Sequence, residues 1–535
     1  MKSMFEFYAK YTIGYRGLFV VYYFLVIFCG FLSLLIPLLN GKIVDIITCN
    51  QKEVLNITIF LFLIVNFLVV IINFLKNRTY IKLQTNTTYR IIKTIIDHIQ
   101  HLPIRVLDSF DIGYMNQKIN SDSNSVTMFL INFIGDFSIN IITIFFSICI
   151  LVKMNIIIGI TMVGIGCIYI VIYIALKKII YRISFIVKEE QATFFSAMLM
   201  QLKDVRFIKI HSLVAEYKKK MNKRYQQYYL TVVKSQNFFF LYSSLDALIT
   251  IVANGFVFAV GGHMVMNGSM TIGEFTVVLS YFNYIIASFK YFSSLAKEYQ
   301  ENKVAYNRIL EIFNLKHQDD GKLKIAKIRT IACENISFIR SGKILFKNLN
   351  YIFEPGKIYC ICGENGKGKT TLIETIIGIH EEEYTGRILY NNINTKELNM
   401  YRLRSNNISV MEQQIVLQEG SVEENIFLST NHSMKNINKI QDIDKQYNLE
   451  EFKLYGEIHS NGSGISGGEC QKIGLYRLFS KDADVYILDE PTASLDKGNV
   501  IKFMNFLNQI KEEKIVIIIS HDSTTIDMCD EIINL

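Results

Sequence analysis

Long apolar runs dominate the first 300 residues of the chain, and a different pattern of short runs follows them. Each long run could cross a bilayer core of about 30 Å as a helix. The runs are 17–39, 54–75, 133–152, 156–176, 238–262 and 275–295. The first is too long for a signal peptide and has no small-residue cleavage site after it. The pattern therefore predicts six membrane-spanning helices, because a soluble protein would have to bury all six runs.

Basic residues are concentrated in alternate connections between these runs. They occur at the N-terminus, after the second run and after the fourth, whereas 262–270 contains no Lys or Arg. Because positively charged loops remain on the cytoplasmic side, both termini are expected in the cytoplasm. This predicts a multi-pass protein of the cell (cytoplasmic) membrane.

Two connections on the predicted cytoplasmic side are unusually long, at about 79–130 and 177–237. Both have mixed charge and almost no Pro or Gly, so they are expected to be helical and to extend on the order of 30 Å beyond the bilayer. Each is predicted to turn once, near 110–114 and near 204–207. These turns would present short helices to a soluble domain.

Composition adds two restrictions. The net charge is +8, but much of it lies in the loops beside the membrane, so membrane lipid headgroups are the expected partner and nucleic acid is not. The nine cysteines form no C-x-x-C pair, and we interpret them as small apolar residues of a reducing compartment rather than as metal ligands.

The second part of the chain is expected to be an α/β domain. Beyond a polar, basic stretch that ends near 330, short apolar runs alternate with helix-like segments to the end of the chain. This alternation is typical of a mainly parallel sheet. The predicted organisation is a transmembrane domain over 1–315, with six helices and two long cytoplasmic loops, and an α/β domain over 328–535.

A glycine-rich loop in this domain matches the phosphate-binding pattern G-x-x-x-x-G-K-[ST]. It follows the apolar run 358–361 and precedes a helix-like segment at 371–377. Glycines let backbone N–H groups point at phosphate oxygens, and the helix N-terminus adds positive charge. Lys369 would reach the β- and γ-phosphates, and the Thr370 hydroxyl would bind Mg²⁺. The predicted phosphate site comprises Gly363, Glu364, Asn365, Gly366, Lys367, Gly368, Lys369, Thr370 and Thr371.

Two carboxylates follow the apolar run 485–488. Asp489 is expected in the Mg²⁺ shell, and Glu490, which points elsewhere, could polarise an attacking water. Two acids can also simply end a strand, and a glycine-rich loop can be a plain turn. The two features in one domain favour a nucleotide site.

A third run, 463–469, places Ser and Gly residues before a helix predicted at 470–479. A flexible loop is the alternative, but such a run can bind a second anion. One nucleotide needs only one phosphate loop. The second run therefore indicates a phosphate held between two copies of the domain.

These motifs resemble those of the ATP-binding cassette (ABC) family, and the whole chain resembles its exporters with six helices fused to one cassette. The phosphate loop resembles Walker A, and 485–489 resembles Walker B. Four further family motifs have counterparts here. They are Gln413 in the Q-loop, Ile465–Glu469 as the signature, Ala493–Asp496 as the D-loop and Ser520-His521-Asp522 as the switch.

The resemblance implies ATP and Mg²⁺ as cofactors and a catalytic set of Glu490, His521 and Gln413. It implies metal ligation by Thr370, Gln413 and Asp489. The ATP of one cassette would also contact the signature of a partner, which is a second copy of this chain or a related half-transporter. The signature residues implied in ATP binding are Ser466, Gly467, Gly468 and Glu469.

The chain departs from the family pattern at two positions. Where family members carry an aromatic residue that stacks on adenine, this chain has Arg340, so either Arg340 or Phe338 is expected to contact adenine. Ser460 takes the place of a Glu that contacts the transmembrane helices. No peptidase-like domain is expected before the first helix.

The predicted function is ATP-driven export of a peptide, lipid or amphipathic drug-like substrate by a dimer. The alternatives are one subunit of a heterodimeric exporter and a nucleotide-gated channel or sensor of the same fold. Asp136, Asp246 and Lys290 lie in or beside apolar runs. They sit just below the bilayer, form a structural ion pair, or line a cavity that favours positively charged cargo.

Overall fold

The computed structural model describes residues 2–154, 156–318, 321–340, 343–380, 383–428, 457–458, 465–492 and 497–535. The chain divides into two compact units. The helical unit comprises Met1–Leu102 and Ser109–Lys316, and the sheet unit comprises Pro103–Asp108 and His317–Leu535.

The helical unit contains nine α-helices within the described residues, and one short α-helix of the sheet unit is numbered with them in chain order. They are α1 (Lys2–Thr12), α2 (Arg16–Thr48), α3 (Lys52–Gln100), α4 (Ile104–Asp108, in the sheet unit), α5 (Ile112–Gln117), α6 (Ser123–Met154), α7 (Ile156–Lys203), α8 (Val205–Ile210), α9 (Val214–Met266) and α10 (Ile272–Phe313). Within the described part of the chain, five stretches are long and apolar enough to cross a membrane. They are Ser3–Thr48, Lys52–Gln100, Gly113–Met154, Val214–Met266 and Ile272–Phe292. The predicted run 156–176 forms the first part of α7.

The long connections are helical, as the low Pro and Gly content predicts. The second turns between α7 and α9, around α8, which agrees with the predicted turn near 204–207. The first connection bends earlier than predicted, at 101–103 as well as at 109–111. Pro103 explains the earlier bend, because proline lacks the N–H that would continue α3.

A buried cation stabilises the helical unit at a point where three of its segments meet. Arg308 of α10 is 2% exposed, with Nε 3.0 Å from Asp122 and one guanidinium nitrogen 3.1 Å from Glu189 of α7. A buried charge is tolerated when it is paired, so this cluster joins α10 to α7 and to the short π-helical segment before α6, which ends at Asp122.

The sheet unit alternates strands and helices. Its strands are β1 (Ile331–Arg340), β2 (Lys343–Phe353), β3 (Ile358–Cys362), β4 (Tyr384–Tyr390), β5 (Ile393–Asn394), β6 (Ile408–Met411), β7 (Gly420–Ser421), β8 (Glu457–Ile458), β9 (Val485–Asp489), β10 (Ile515–Ile519) and β11 (Glu531–Asn534). Its longer helices are α11 (Lys369–Ile376), α12 (Met400–Asn406), α13 (Val422–Phe427), α14 (Gly467–Ser480), α15 (Lys497–Ile510) and α16 (Ser523–Asp527).

A parallel sheet forms the centre of this unit, in the order β11-β3-β10-β9-β6. Strands β9 and β10 are buried along their whole length, which explains why their sequences are continuous apolar runs. An antiparallel sheet in the order β2-β1-β4-β5 adjoins it and was not predicted from sequence. The carboxyl ends of β3, β10 and β9 lie side by side, since Ile361 pairs with Ile519 and Ile519 with Asp489. Ligands of such sheets bind at this edge.

Candidate nucleotide-binding site

The loop between β3 and α11 has the backbone of a phosphate-binding loop. Gly366 and Gly368 have φ angles of 81° and 92°, in the left-handed region that favours glycine. A Cβ added at Gly368 would lie 3.0 Å from Leu345 Cβ. The sequence therefore needs glycine at this position for both backbone conformation and space.

Lys369 directs its ammonium group into this loop. Nζ donates hydrogen bonds to the carbonyl oxygens of Gly363 at 2.9 Å and Glu364 at 3.2 Å. The side chain is 8% exposed. The positive charge is thus held where the loop N–H groups would meet an anion, and the residues present fit the phosphates of a nucleotide.

Thr370, at the start of α11, and Asp489, at the end of β9, are joined directly. Thr370 Oγ1 donates to Asp489 Oδ2 over 2.8 Å. Burial raises the pKa of Asp489, and the hydrogen bond from Thr370 partly opposes that rise. A hydroxyl and a carboxylate are the oxygen ligands that Mg²⁺ prefers, so this pair fits the predicted metal ion.

The three predicted catalytic residues come together at Glu490. Gln413 Nε2 donates to Glu490 Oε2 over 3.1 Å, and His521 Nε2 lies 3.9 Å from Glu490 Oε1. A cavity of about 300 Å³ opens beside them, lined also by Asp489 and Gly467. The arrangement leaves Glu490 partly exposed, with one neighbour that donates and one that can carry positive charge.

The signature residues begin α14, and Ser466 caps it. Ser466 Oγ accepts from Glu469 N at 3.3 Å, while Glu469 Oε2 accepts from Ser466 N and Oγ, both at 2.8 Å. The hydrogen bonds from Ser466 lower the pKa of Glu469. The predicted ligand Glu469 is therefore engaged with its own helix. A Cβ added at Gly467 or Gly468 would meet no atom of the described residues within 4 Å, so this end of the helix is open toward them.

The two candidates for the adenine contact have different surroundings. Phe338 is fully buried, with its ring centre 5.8 Å from that of Phe346 and 5.4 Å from that of His380. Arg340 is half exposed, and its guanidinium lies 3.0 Å from Asp108 Oδ2. Phe338 is thus a core residue, and Arg340 remains the candidate on the surface.

Some predicted residues lie outside the described part of the chain, namely Ala493–Asp496 of the D-loop, Ser460, Ser463 and Gly464. One contact beside the site was not predicted from sequence. Gln471 of α14 donates through Nε2 to the carbonyl oxygen of Pro491 over 2.9 Å. The only sequence signal was a polar residue two positions after the signature.

Membrane-spanning helices together with a phosphate-loop domain define a multi-pass membrane protein that binds nucleotide. Family models agree with this assignment. The model for the ABC transporter transmembrane region matches residues 19–289, about half of the chain, and the ABC transporter model matches residues 346–493. The chain belongs to the ABC transporter family, so ATP is the expected nucleotide.

Similar proteins support the same family. The ATP-dependent lipid A-core flippase of Haemophilus influenzae (strain ATCC 51907 / DSM 11121 / KW20 / Rd) is 25% identical over 279 residues, which cover 50% of this chain and 47% of the relative. The subtilin transport ATP-binding protein SpaT of Bacillus subtilis is 32% identical over 235 residues, which cover 42% of this chain and 38% of the relative. The matches thus span about half the length of these relatives or less.

One solved structure, a bacterial Atm1-family ABC exporter with ATP bound, has the same fold. The two structures superpose with a TM-score of 0.83 at 18% sequence identity, and the superposition covers 97% of this chain and 93% of the exporter chain. The predicted family and the predicted fold class, a helical transmembrane domain followed by an α/β nucleotide-binding domain, are therefore confirmed.

Proposed function

We propose that the chain is one half of an ATP-driven exporter of the cell membrane, with both termini in the cytoplasm. The observation that carries this proposal is the contact of Glu490 with Gln413, beside the Thr370–Asp489 pair. A protein that only binds nucleotide has no need of a carboxylate held beside the metal ligands. The membrane-spanning helices supply the path for a cargo.

The loop residues have distinct tasks in this proposal. Lys369 and the loop N–H groups bind the β- and γ-phosphates of ATP. Thr370, Gln413 and Asp489 would hold Mg²⁺, which would neutralise phosphate charge when it is bound.

Hydrolysis depends on a proton acceptor beside the γ-phosphate. Glu490 accepts the proton of the attacking water, and Gln413 orients its carboxylate. His521, near the other oxygen of Glu490, contacts the γ-phosphate. Release of the products would then allow the two cassettes to separate.

A second cassette completes each ATP site in the proposal. The open N-terminus of α14, with Gly467 and Gly468, contacts the ATP held by a partner, which is a second copy or a related half-transporter. The cargo is a peptide, a lipid or another amphipathic molecule. Two relatives, named a lipid A-core flippase and a subtilin transport protein, support lipid and peptide as the first candidates.

Reconstitution into lipid vesicles tests the proposal. Phosphate release with Mg²⁺-ATP is measured for the full chain and for Glu490→Gln, together with ATP-dependent movement of a fluorescently labelled phosphatidylethanolamine between leaflets. Hydrolysis and lipid movement that both require Glu490 support an exporter of lipids. Hydrolysis without lipid movement shifts the cargo to peptides, and the absence of hydrolysis contradicts the proposal.

A further inference from the structure

Gln471 joins the helix that carries the signature to the strand end that carries Glu490. Its Nε2 donates to the carbonyl oxygen of Pro491 over 2.9 Å and lies 3.5 Å from that of Glu490. Its Oε1 is buried and accepts no hydrogen bond within the described residues. Because carbonyl oxygens accept only, the amide must present its NH₂ group to them.

The backbone that Gln471 contacts is in an unfavourable conformation. Glu490 has a φ of 52°, in the left-handed region that non-glycine residues adopt only where their surroundings hold them. On one side, Glu490 N donates to the carbonyl oxygen of Ile519 over 2.9 Å. On the other side, the Gln471 amide donates to the carbonyl oxygens of Glu490 and Pro491. The two contacts together fix the direction in which the Glu490 carboxylate leaves the strand, toward Gln413.

We propose that Gln471 is a positioning residue that couples the two ATP sites of the dimer. This inference rests on the proposed function, in which Ser466–Gly468 contact the ATP of the partner and Glu490 acts on the ATP of its own chain. Gln471 lies in the same 14-residue helix as Gly467 and Gly468, one turn further on. Any shift of this helix when the partner's ATP arrives therefore moves Gln471 and the peptide of Glu490.

Two substitutions separate this role from simple packing. Gln471→Met has nearly the same shape but no donor, whereas Gln471→Lys retains a donor of similar reach. Gln51→Met is the matched control, because Gln51 is exposed in the turn between α2 and α3, in the other unit. For each purified full chain, the measurements are kcat, KM and the Hill coefficient for ATP, equilibrium binding of ATP, and the melting temperature.

The expected result is a loss in kcat and in cooperativity without a loss in binding. Gln471→Met should lower kcat by roughly 10- to 100-fold, as for a displaced catalytic group, with ATP affinity unchanged. The Hill coefficient of Gln471→Met should fall to about 1, whereas that of wild type should be greater than 1. Gln471→Lys should regain most of the kcat and of the cooperativity, and Gln51→Met should match wild type in both quantities.

Three results would overturn the inference. One is a Gln471→Met variant with wild-type kcat and Hill coefficient. Another is a loss of ATP binding and melting temperature in parallel with kcat, which a packing role would cause. The third is a wild-type Hill coefficient of about 1, because there would be no coupling to lose. Failure of the proposed function is distinguishable, since the wild type and Gln51→Met would then also show no hydrolysis.

Discussion

Thr370 Oγ1 donates a hydrogen bond to Asp489 Oδ2 over 2.8 Å, although the two residues are 119 positions apart in the chain. The contact exists because β3 and β9 both pair with β10 in parallel, so that the ends of the strands meet at one edge of the sheet. The bond keeps these two of the three proposed Mg²⁺ ligands within reach of a single ion. It also leaves the neighbouring Glu490 free for a different role.

Glu490→Gln should abolish steady-state hydrolysis and leave ATP binding intact. The amide cannot accept a proton from water, and loss of a general base typically lowers the rate by about 10²–10⁴-fold. The new amide side chain can still meet Gln413 and keep the shape of the site. Phosphate release and equilibrium ATP binding by the purified full chain are the measurements. Turnover above about a tenth of the wild-type rate would mean that another residue is the base.

Lys369→Ala should weaken ATP binding itself. The substitution removes a charge-assisted hydrogen bond, worth about 1.5–3 kcal/mol, which corresponds to roughly 10- to 100-fold in the dissociation constant. Lys347→Ala, an exposed lysine of β2, is the control and should bind ATP as wild type does. Binding is measured by titration with ATP and Mg²⁺. Equal affinity in the two variants would exclude Lys369 from the phosphate contact.

The parts of this site that depend on local sequence were predictable. Continuous apolar runs predicted β3 and β9, and the glycine spacing predicted the loop that ends at Lys369. Parallel strands bring their carboxyl ends together, so the approach of Thr370 and Asp489 also followed from sequence.

Side-chain contacts that depend on how a helix packs on the sheet were not predictable. The hydrogen bond from Gln471 to the Pro491 carbonyl depends on how α14 packs beside β9, and a polar helical residue gives no sign of a backbone acceptor elsewhere. Likewise, the capping box that joins Glu469 to Ser466 was not predicted, and the contact of Glu469 with nucleotide stays a prediction. A capping box uses the same residue types as an anion site, so the motif alone could not separate them.

Arg340 is predicted to be the adenine platform, since Phe338 is buried. Arg340→Ala should weaken ATP binding about fivefold, equivalent to roughly 1 kcal/mol for a modest cation–π contact, and Arg340→Tyr should hold or improve it. ATP titration of both variants is the measurement.

Asp108→Ala is the control for this experiment, because Asp108 forms an exposed ion pair with Arg340 that should contribute only about 0–1 kcal/mol to stability. An equal loss of affinity in Asp108→Ala and Arg340→Ala would place the effect in the ion pair. Wild-type affinity in Arg340→Ala would exclude a contact with adenine.

His380 should make the stability of the protein depend on pH. It is 3% exposed, with Nε2 2.9 Å from Glu374 and Nδ1 3.2 Å from Glu383. Burial alone would lower the pKa of His380, but the hydrogen bonds to Glu374 and Glu383 outweigh burial and raise the pKa above its ordinary value. Stability from this group is therefore fully present below about pH 6.5 and is lost as pH rises through the raised pKa.

Thermal unfolding of wild type and His380→Gln across this pH range checks the prediction. The stability advantage of wild type should be largest at the acidic end and should shrink as pH increases, because the variant lacks the imidazolium. Groups that do not contact His380 titrate equally in both proteins, so the difference between the two curves reports His380 together with its partners Glu374 and Glu383. A difference that is constant with pH, or that grows as pH rises, would contradict the assigned direction.

Asp246 and Lys290 form an ion pair, with Lys290 Nζ 3.5 Å from Asp246 Oδ2. The contact favours the structural interpretation of these charges over binding of positively charged cargo, because an acid that already has a cation partner offers less to a cargo. Asp246→Asn removes this partner of the Lys290 ammonium group. An unpaired charge at the membrane centre costs about 2.5–3.5 kcal/mol on insertion scales, so the variant should be less stable than wild type by up to this amount.

The reversed pair Asp246→Lys with Lys290→Asp should regain much of the stability lost in Asp246→Asn, because it restores opposite charges at the same two positions. The measurements are the melting temperature in detergent, the basal ATPase rate and the stimulation of the ATPase by a cationic peptide. If Asp246→Asn lost the stimulation while keeping wild-type stability and basal rate, the carboxylate would belong to the cargo path and the structural interpretation would be wrong.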